Sequence, residues 1–419
     1  MRLWQTNPLE AITLVRGEGC RVTDASGRVY LDMLAGTWCN VLGYGHQRWV
    51  RAVQEQVRTL THVGSSFAAG EIDQALAKLG EVLPAELDRA VFLNTGSEAV
   101  ELSLKMARAA TGADGVVAFE RGYYGATTYA LSLSEAGRAA TYLPPAGNLH
   151  RLPAPICARC PAGRSWPCVD YPCLDMPEGS GEANRGDRAG IAAVLWEPVM
   201  AVGGVIVPPP GHGARLRELA SECGALLIAE EVTTGMGRTG RWFAFEHDDV
   251  VPDILVIGKA LGAGLPVAAV VTSRQVEARC AGLLRHVQSH QNDPFSGRIA
   301  ATVISIIQQE GLMERAARRG EELLQGLKAL QRRCPLICDV RGRGLMIGIE
   351  LEADGAADGT KAARRLLEDG IIVDYRPENA TFRLFPPYVI STEEIDAFLR
   401  AFARAIADRS AGAPAAGLR

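Results

Sequence analysis

The chain is expected to be an α/β protein, with a mainly parallel sheet layered between helices and a smaller α+β domain beside it. Short runs rich in Val, Ile and Leu, bounded by Gly, Pro or charge, alternate with stretches of helical period along the sequence. Those runs are apolar at almost every position, as in strands covered on both faces: "GVVAF", "IAAVLWEPV", "ALLIAEEV", "DILVIGKA" and "LPVAAVVTS". With 419 residues the chain also exceeds what one ordinary core holds, so two domains in intimate contact are expected.

Before the first of these strands, "WVRAVQEQVRTL" sets Val50, Val53, Val57 and Leu60 on one face of a predicted helix. "SEAVELSLKMARAATG" predicts a helix from near Ser97 to Gly112. From Leu143 to Gly190 the chain is rich in Pro, Gly, Arg and Cys without a clear period, and reads as an ordered excursion. After about Arg285 come two helical stretches, "VRGRGLMIGIEL", another helix and "TFRLFPPYVI". The division expected is 1–45 as an N-terminal part of the small domain, 46–284 as the large domain with its insertion at 143–190, 285–408 as the C-terminal small domain, and a disordered tail at 409–419.

Composition narrows the function. Hydrophobic residues make up 47% and charged residues 22%, a globular pattern, and the net charge of -4 supplies no basic field for nucleic acid. No run of 18 apolar residues suggests a membrane span, and "MRLWQTNPLE" lacks the apolar core of a signal peptide, so a cytoplasmic protein is expected. Six of the ten cysteines are scattered and read as reduced thiols. Cys157, Cys160, Cys168 and Cys173 form C-x2-C-x7-C-x4-C, which could hold zinc or an iron–sulfur centre, or belong to a thiol-rich insertion without metal. The second pair departs from the close spacing of zinc ribbons, so no metal is assigned.

Three strands finish on a functional group: Glu197 in "LWEPV", Glu230 in "LIAEEV" and Lys259 in "VIGKALGAG". The intervals are 33 and 29 residues, each about one strand–helix unit. Were these strands parallel, all three groups would emerge at the carboxyl edge of the sheet, where open α/β folds bind ligands. The turn "NTGSEAV" sets Thr95, Gly96 and Ser97 at a helix N-terminus, where free N–H groups and the helix dipole favour an anion. A phosphate site, a lysine and an acid for a ring nitrogen together describe a pyridoxal phosphate site. Adjacent strand residues face opposite ways, so of Glu230 and Glu231 only the first is expected at the site. Glu231 is expected to hold the turn, with Arg238 as its partner. His46 and His286 read as structural or interface residues, and "GKALGAGLP" is not a Walker loop.

In "FLNTGSEAVELSLKMAR", "EPVMAVGGVIVPPPG", "LLIAEEVTTGMGRTG", "PDILVIGKALGAGLPVAAVV" and "FRLFPPY" the chain resembles the class III pyridoxal-phosphate aminotransferases, of fold type I. The resemblance covers nearly the whole chain. It implies a seven-stranded large-domain sheet, a small domain from both chain ends, and a homodimer with shared active sites. It implies an enzyme moving an amino group from an amine or amino acid to a keto acid, with Lys259 as Schiff-base lysine and proton shuttle. Gly96 and Ser97 match the phosphate turn, Tyr123 the residue stacking on the cofactor, and Glu230 the partner of the pyridinium. Ser289 falls where a threonine reaches the neighbouring subunit's phosphate. Glu197 and Arg383 match a gate pair, in which the arginine grips a substrate carboxylate or swings to the glutamate, and Trp38 matches a pocket-wall aromatic.

Departures qualify this. The family has aspartate where this chain has Glu230, one methylene longer, and Thr233 stands where a glutamine often approaches the ring's phenolic oxygen. Tyr124-Gly125 replaces a common His-Gly, and Ala126 replaces an arginine used for γ-aminobutyrate or ornithine, so those two substrates are not expected. Trp38, Tyr123 and Tyr124 favour a substrate with apolar bulk. The alternatives on the same fold are an amino-acid racemase or epimerase and a decarboxylating relative; a non-catalytic cofactor-binding homologue is a further one.

Overall fold

The computed structural model of the chain describes residues 4, 6, 10–138, 141, 143–157, 160, 163, 168, 170–174, 190–352 and 355–407. The predicted tail at 409–419 lies outside them. An N-terminal antiparallel meander comprises β1 (Leu14–Glu18), β2 (Arg21–Asp24) and β3 (Val29–Asp32). The central sheet is built from β4 (Arg89–Leu93), β5 (Gly115–Phe119), β6 (Leu149–Leu152), β7 (Ile191–Trp196), β8 (Leu226–Glu231), β9 (Ile254–Ile257) and β10 (Ala268–Thr272). The remaining strands are β11 (Ile337–Gly342), β12 (Ile347–Leu351), β13 (Ile371–Ile372), β14 (Asp374–Arg376) and β15 (Thr381–Leu384).

The seven central strands lie in the order β4-β10-β9-β8-β7-β5-β6. Neighbours from β6 to β9 pair in parallel, while β10 is antiparallel to both β9 and β4. Linker length explains the reversal. A parallel return needs a crossover of a dozen or more residues, and only the segment 258–267 separates β9 from β10. β7, β8, β9 and β10 are buried at every position, which is why they read as continuous apolar runs. The segment read as lacking period contains β6, a strand at the edge of the sheet that extends β5.

β13 pairs in parallel with β3, so a strand from late in the chain completes the N-terminal sheet. A second antiparallel sheet, β11-β12-β15-β14, packs against the helices Leu312–Gln331, Ala356–Glu368 and Thr392–Ala407. The helix Gln47–Thr59 differs from its predicted face. Its buried residues are Ala52 and Gln56, whereas Val57 and Leu60 are exposed. Gln56 turns inward because its amide donates to Leu60 O (2.6 Å) and Glu71 Oε1 (3.2 Å). No helix among the described residues is long and apolar enough to cross a membrane.

Candidate functional site

Parallel pairing of β7, β8 and β9 brings Glu197, Glu230 and Lys259 to one edge, where all three line a cavity of about 920 Å3. Glu197 follows β7 directly and accepts a hydrogen bond from Tyr123 N (2.9 Å) at Oε1. Burial, and then the charge of Glu230, raise its carboxyl well above the ordinary range. Burial likewise raises the Glu230 carboxyl, while the Lys259 charge opposes the shift. Lys259 sits on the turn after β9 with φ of 41° and donates from Nζ to Thr233 Oγ1 (2.8 Å). Burial pushes its amine below the ordinary lysine range, partly offset by Glu230, which favours the neutral, nucleophilic form.

Glu231 points the other way, into the protein. Its carboxylate accepts from Thr234 Oγ1 (2.9 Å), Ala244 N (2.7 Å) and Phe245 N (2.8 Å), and so holds the chain where it turns back after β8. Arg238 is not its partner, contrary to the sequence expectation. That guanidinium donates to Leu345 O (3.1 Å) and Pro386 O (2.6 Å) and lies over the Tyr388 ring, tying the post-β8 loop to the C-terminal region. The carboxylate has no need of it, since backbone donors already satisfy both oxygens.

The helix Gly96–Thr111 opens at the cavity. Thr95 Oγ1 caps it by accepting from Glu98 N (3.1 Å), and Gly112, with φ of 72°, closes it. Asn94, Thr95, Gly96 and Ser97 all line the cavity. Position 96 requires glycine because an added Cβ would lie 2.8 Å from both Val232 Cγ atoms. Ser97 Oγ accepts from Ala126 N (2.9 Å), which anchors the loop after β5.

Tyr123 and Tyr124 both line the cavity, and Tyr124 packs into the core as well. Its hydroxyl accepts from Phe119 N (3.0 Å). Trp38 lines the cavity on a turn held by Asp32, which accepts from Leu34 N and Gly36 N (each 2.8 Å). Its ring stacks on Phe385 (4.4 Å) and stands 5.2 Å from Lys259 Nζ and 4.9 Å from Arg383 Cζ.

Arg383 is not paired with Glu197. Its Nε donates to Asp374 Oδ2 (2.6 Å), Nη2 also meets that carboxylate, and Nη1 reaches Val202 O (3.2 Å) and Ala201 O (3.4 Å). Asp374 is absent from the sequence reading, as are the cavity-lining Arg121, Glu135, Arg376, Glu378 and Asn379. The signal for Asp374 was the turn Pro377–Asn379, which makes β14 and β15 a hairpin and sets Asp374 opposite Arg383.

Ser289 is exposed and does not line this chain's cavity. His46 Nε2 meets Glu310 (3.1 Å), and His286 faces Glu98 (3.7 Å), both away from the cavity. Among the described residues the one group of three metal-ligating side chains within 4.8 Å is His62, His290 and Asp293; the four clustered cysteines form no such group. In the former, both Nδ1 atoms already bond Asp293 (2.7 and 2.5 Å). Burial, then the other thiols, push Cys157 up to about 11 and Cys173 up to about 12.

The cavity fits pyridoxal phosphate. It holds a glycine-dependent helix start for the phosphate, a buried acid able to meet a ring nitrogen, and a lysine amine biased toward neutrality. Comparison with known proteins agrees. A family model described as aminotransferase class-III matches residues 4–406. An acetylornithine aminotransferase of Methanopyrus kandleri is 36% identical, with 94% of each chain covered. A leucine/methionine racemase of Thermococcus litoralis is 32% identical over 96% of this chain and 92% of that one. The omega transaminase of Pseudomonas jessenii, solved in complex with PMP, superposes with a TM-score of 0.89 at 28% identity, covering 97% of this chain and 96% of that one.

Proposed function

Because the chain belongs to the class III aminotransferases, pyridoxal-phosphate enzymes of fold type I, we propose that it transfers an amino group from an amine or amino acid to a keto acid at the Lys259 cavity. The observation carrying this is the convergence of Lys259, Glu230 and the 94–97 turn on one cavity. When bound, pyridoxal phosphate supplies an aldehyde that links to amines and a pyridinium ring that draws electrons from the substrate carbon.

The chain's own residues then have separable tasks. N–H groups at the start of helix Gly96–Thr111, with the Ser97 hydroxyl, hold the phosphate. Glu230 would meet the ring nitrogen and favour its protonated form, and Tyr123 would lie against the ring. Lys259, its amine biased toward the neutral form, would be the residue to hold the cofactor's aldehyde and, when free, to carry a proton to and from the substrate carbon. Thr233 Oγ1 holds Nζ at 2.8 Å and so aims it. Trp38, Tyr123 and Tyr124 give the pocket aromatic walls, which favour a donor with some apolar bulk.

Replacing Lys259 with Ala tests the assignment. Transfer should fall by more than about 10⁴-fold, the upper range for a positioned proton carrier, because the covalent link is lost as well. The visible absorbance of the bound cofactor should no longer resemble that of the wild type. An unaltered spectrum would refute Lys259 as the attachment point. The leucine/methionine racemase among the relatives motivates a second reading: rapid deuterium exchange at the substrate carbon, with no keto acid formed from any donor, would assign racemisation instead.

A homodimer and a cytoplasmic location belong to the same reading, as does the division into 46–284 for cofactor binding and 1–45 with 285–408 for the smaller domain. Pairing of β3 with β13 supports that division. The dimer is supported by exposed apolar side chains on two segments that meet through the His62–His290 ring contact (4.6 Å). Phe67, 73% exposed, lies on one, and Leu283, 72% exposed, and Val287 lie on the other. Ser289, on the second segment, would then face the partner's phosphate.

A further inference from the structure

Outside the Lys259 cavity, two imidazoles share one buried carboxylate. Asp293 stands at the N-cap of the helix Pro294–Gln309 and is 4% exposed. An aspartate in that place ordinarily turns its carboxylate back onto the first free N–H groups of its helix. Asp293 makes no such cap bond. Its Oδ1 meets His62 Nδ1 (2.7 Å) and accepts from Val63 N (3.3 Å), and its Oδ2 meets His290 Nδ1 (2.5 Å). The acid thus forgoes the cap in order to face two rings, one of them 231 residues away in the chain.

Charge points the same way. A buried carboxylate is costly unless a cation compensates it. Among the described residues no lysine or arginine pairs with Asp293, and imidazoles, unlike those side chains, are not permanent cations. A hydrogen-bonded staple between the two segments leaves that demand unmet, whereas a bound cation meets it.

The geometry admits such an ion. The three donor atoms lie within 4.8 Å of one another. Donors about 2.1 Å from a common ion stand about 3 Å apart at right angles and about 4.2 Å apart on opposite sides. Both nitrogen–oxygen separations are close to the first figure. The two rings are exposed and free to turn through the small remainder, while burial fixes Asp293. Two imidazoles and a carboxylate suit the borderline divalent transition ions, zinc among them. Each Nδ1 would bind through its lone pair, its proton passing to Nε2 or to solvent, and water would complete the coordination.

We propose that His62, His290 and Asp293 form a site for one divalent transition ion of the zinc class, which ties the segment around His62 to the start of the helix Pro294–Gln309. None of the three residues lines the Lys259 cavity, so the site stands or falls apart from the transfer reaction. The His290 loop does reach the cavity edge, where Gln288 Nε2 donates to Asn94 Oδ1 (3.3 Å), and the ion would steady that loop.

Calorimetric titration with zinc of the cofactor-loaded protein, first freed of metal by a chelator, tests the site. The clustered thiols can also take zinc, so the decisive quantity is the difference between variants. Wild type should bind one equivalent per chain that His62→Ala and His290→Ala each lose or hold about 100-fold more weakly, the upper figure for removing even a residue that only orients a ligand. His286→Ala should keep the equivalent. Equal zinc binding by the wild type and both ligand variants would overturn the proposal, as would a wild type that takes up no zinc. Should the variants fail to fold, judged by circular dichroism melting, X-ray absorption at the zinc edge of the wild type with one equivalent decides. Nitrogen and oxygen neighbours at about 2.1 Å with outer scattering from two imidazoles support the site, and sulfur at about 2.3 Å sinks it.

Discussion

At the end of β8 the backbone alternation sends Glu230 into the cavity and Glu231 toward Ala244 and Phe245, and the two acids then serve different ends. Burial raises Glu231 from 4.5 to about 7. The unfolded chain releases this proton near the lower value and the folded chain near the higher one. Its contribution to stability is therefore complete below about 4.5 and lost as pH rises through about 7. Glu231→Gln should melt lower than wild type, since one oxygen cannot replace two acceptors, but its melting temperature should fall less between acid and neutral pH. The difference in slope amounts to on the order of 3 kcal/mol across the window, readable by calorimetry at several pH values. Parallel slopes would refute the assignment. For Glu230, substitution by Gln should lower the rate of amine-driven cofactor conversion by about 10²-fold, the scale on which misplacing a catalytic contact acts. Its melting temperature should change little or rise, as a buried charge is removed. The methylene by which this residue exceeds the family's aspartate was legible in the sequence. The bond that fastens the Tyr124 hydroxyl to Phe119 N was not, because it depends on how the loop after β5 folds back on that strand.

Elements defined by local chemistry were readable, and those defined by pairing were not. The helix Gly96–Thr111 announced itself through a threonine cap, a glycine stop and a helical period. The convergence of Glu197, Glu230 and Lys259 was equally plain, since strands at regular spacing in an α/β chain run parallel. By contrast, the reversal of β10, the edge strand β6 and the Asp374–Arg383 pair arise from how strands find neighbours far away in the chain. At this scale the sharpest test is Gly96→Ala. The new methyl would meet Val232 at 2.8 Å, so the helix start must shift and cofactor retention on gel filtration should drop. A stability cost of about 1–3 kcal/mol should accompany it. Val232→Ala in the same chain should restore much of the retention, because it removes the colliding methyls. Retention unchanged by Gly96→Ala would show that the helix start has more room than its surroundings indicate.

For the molecule as a whole, the exposed apolar segments around Phe67 and Leu283–Val287 predict that Leu283→Asp with Val287→Asp shifts the protein toward monomer in light scattering. Transfer activity should fall with it if Ser289 serves the neighbouring site; a stable dimer with full activity would exclude this surface as the interface. The parallel pairing of β13 with β3 has a temporal side. During synthesis Leu31 must wait for Ile371, its partner in the sheet, to leave the ribosome. At about 5–20 residues per second that is a delay of roughly 17–70 seconds. Every central strand and the lysine after β9 are made within that interval. The nascent chain can therefore complete its cofactor cradle while β3 still lacks its edge partner, and a chaperone holding the N-terminal meander would have that whole interval in which to act.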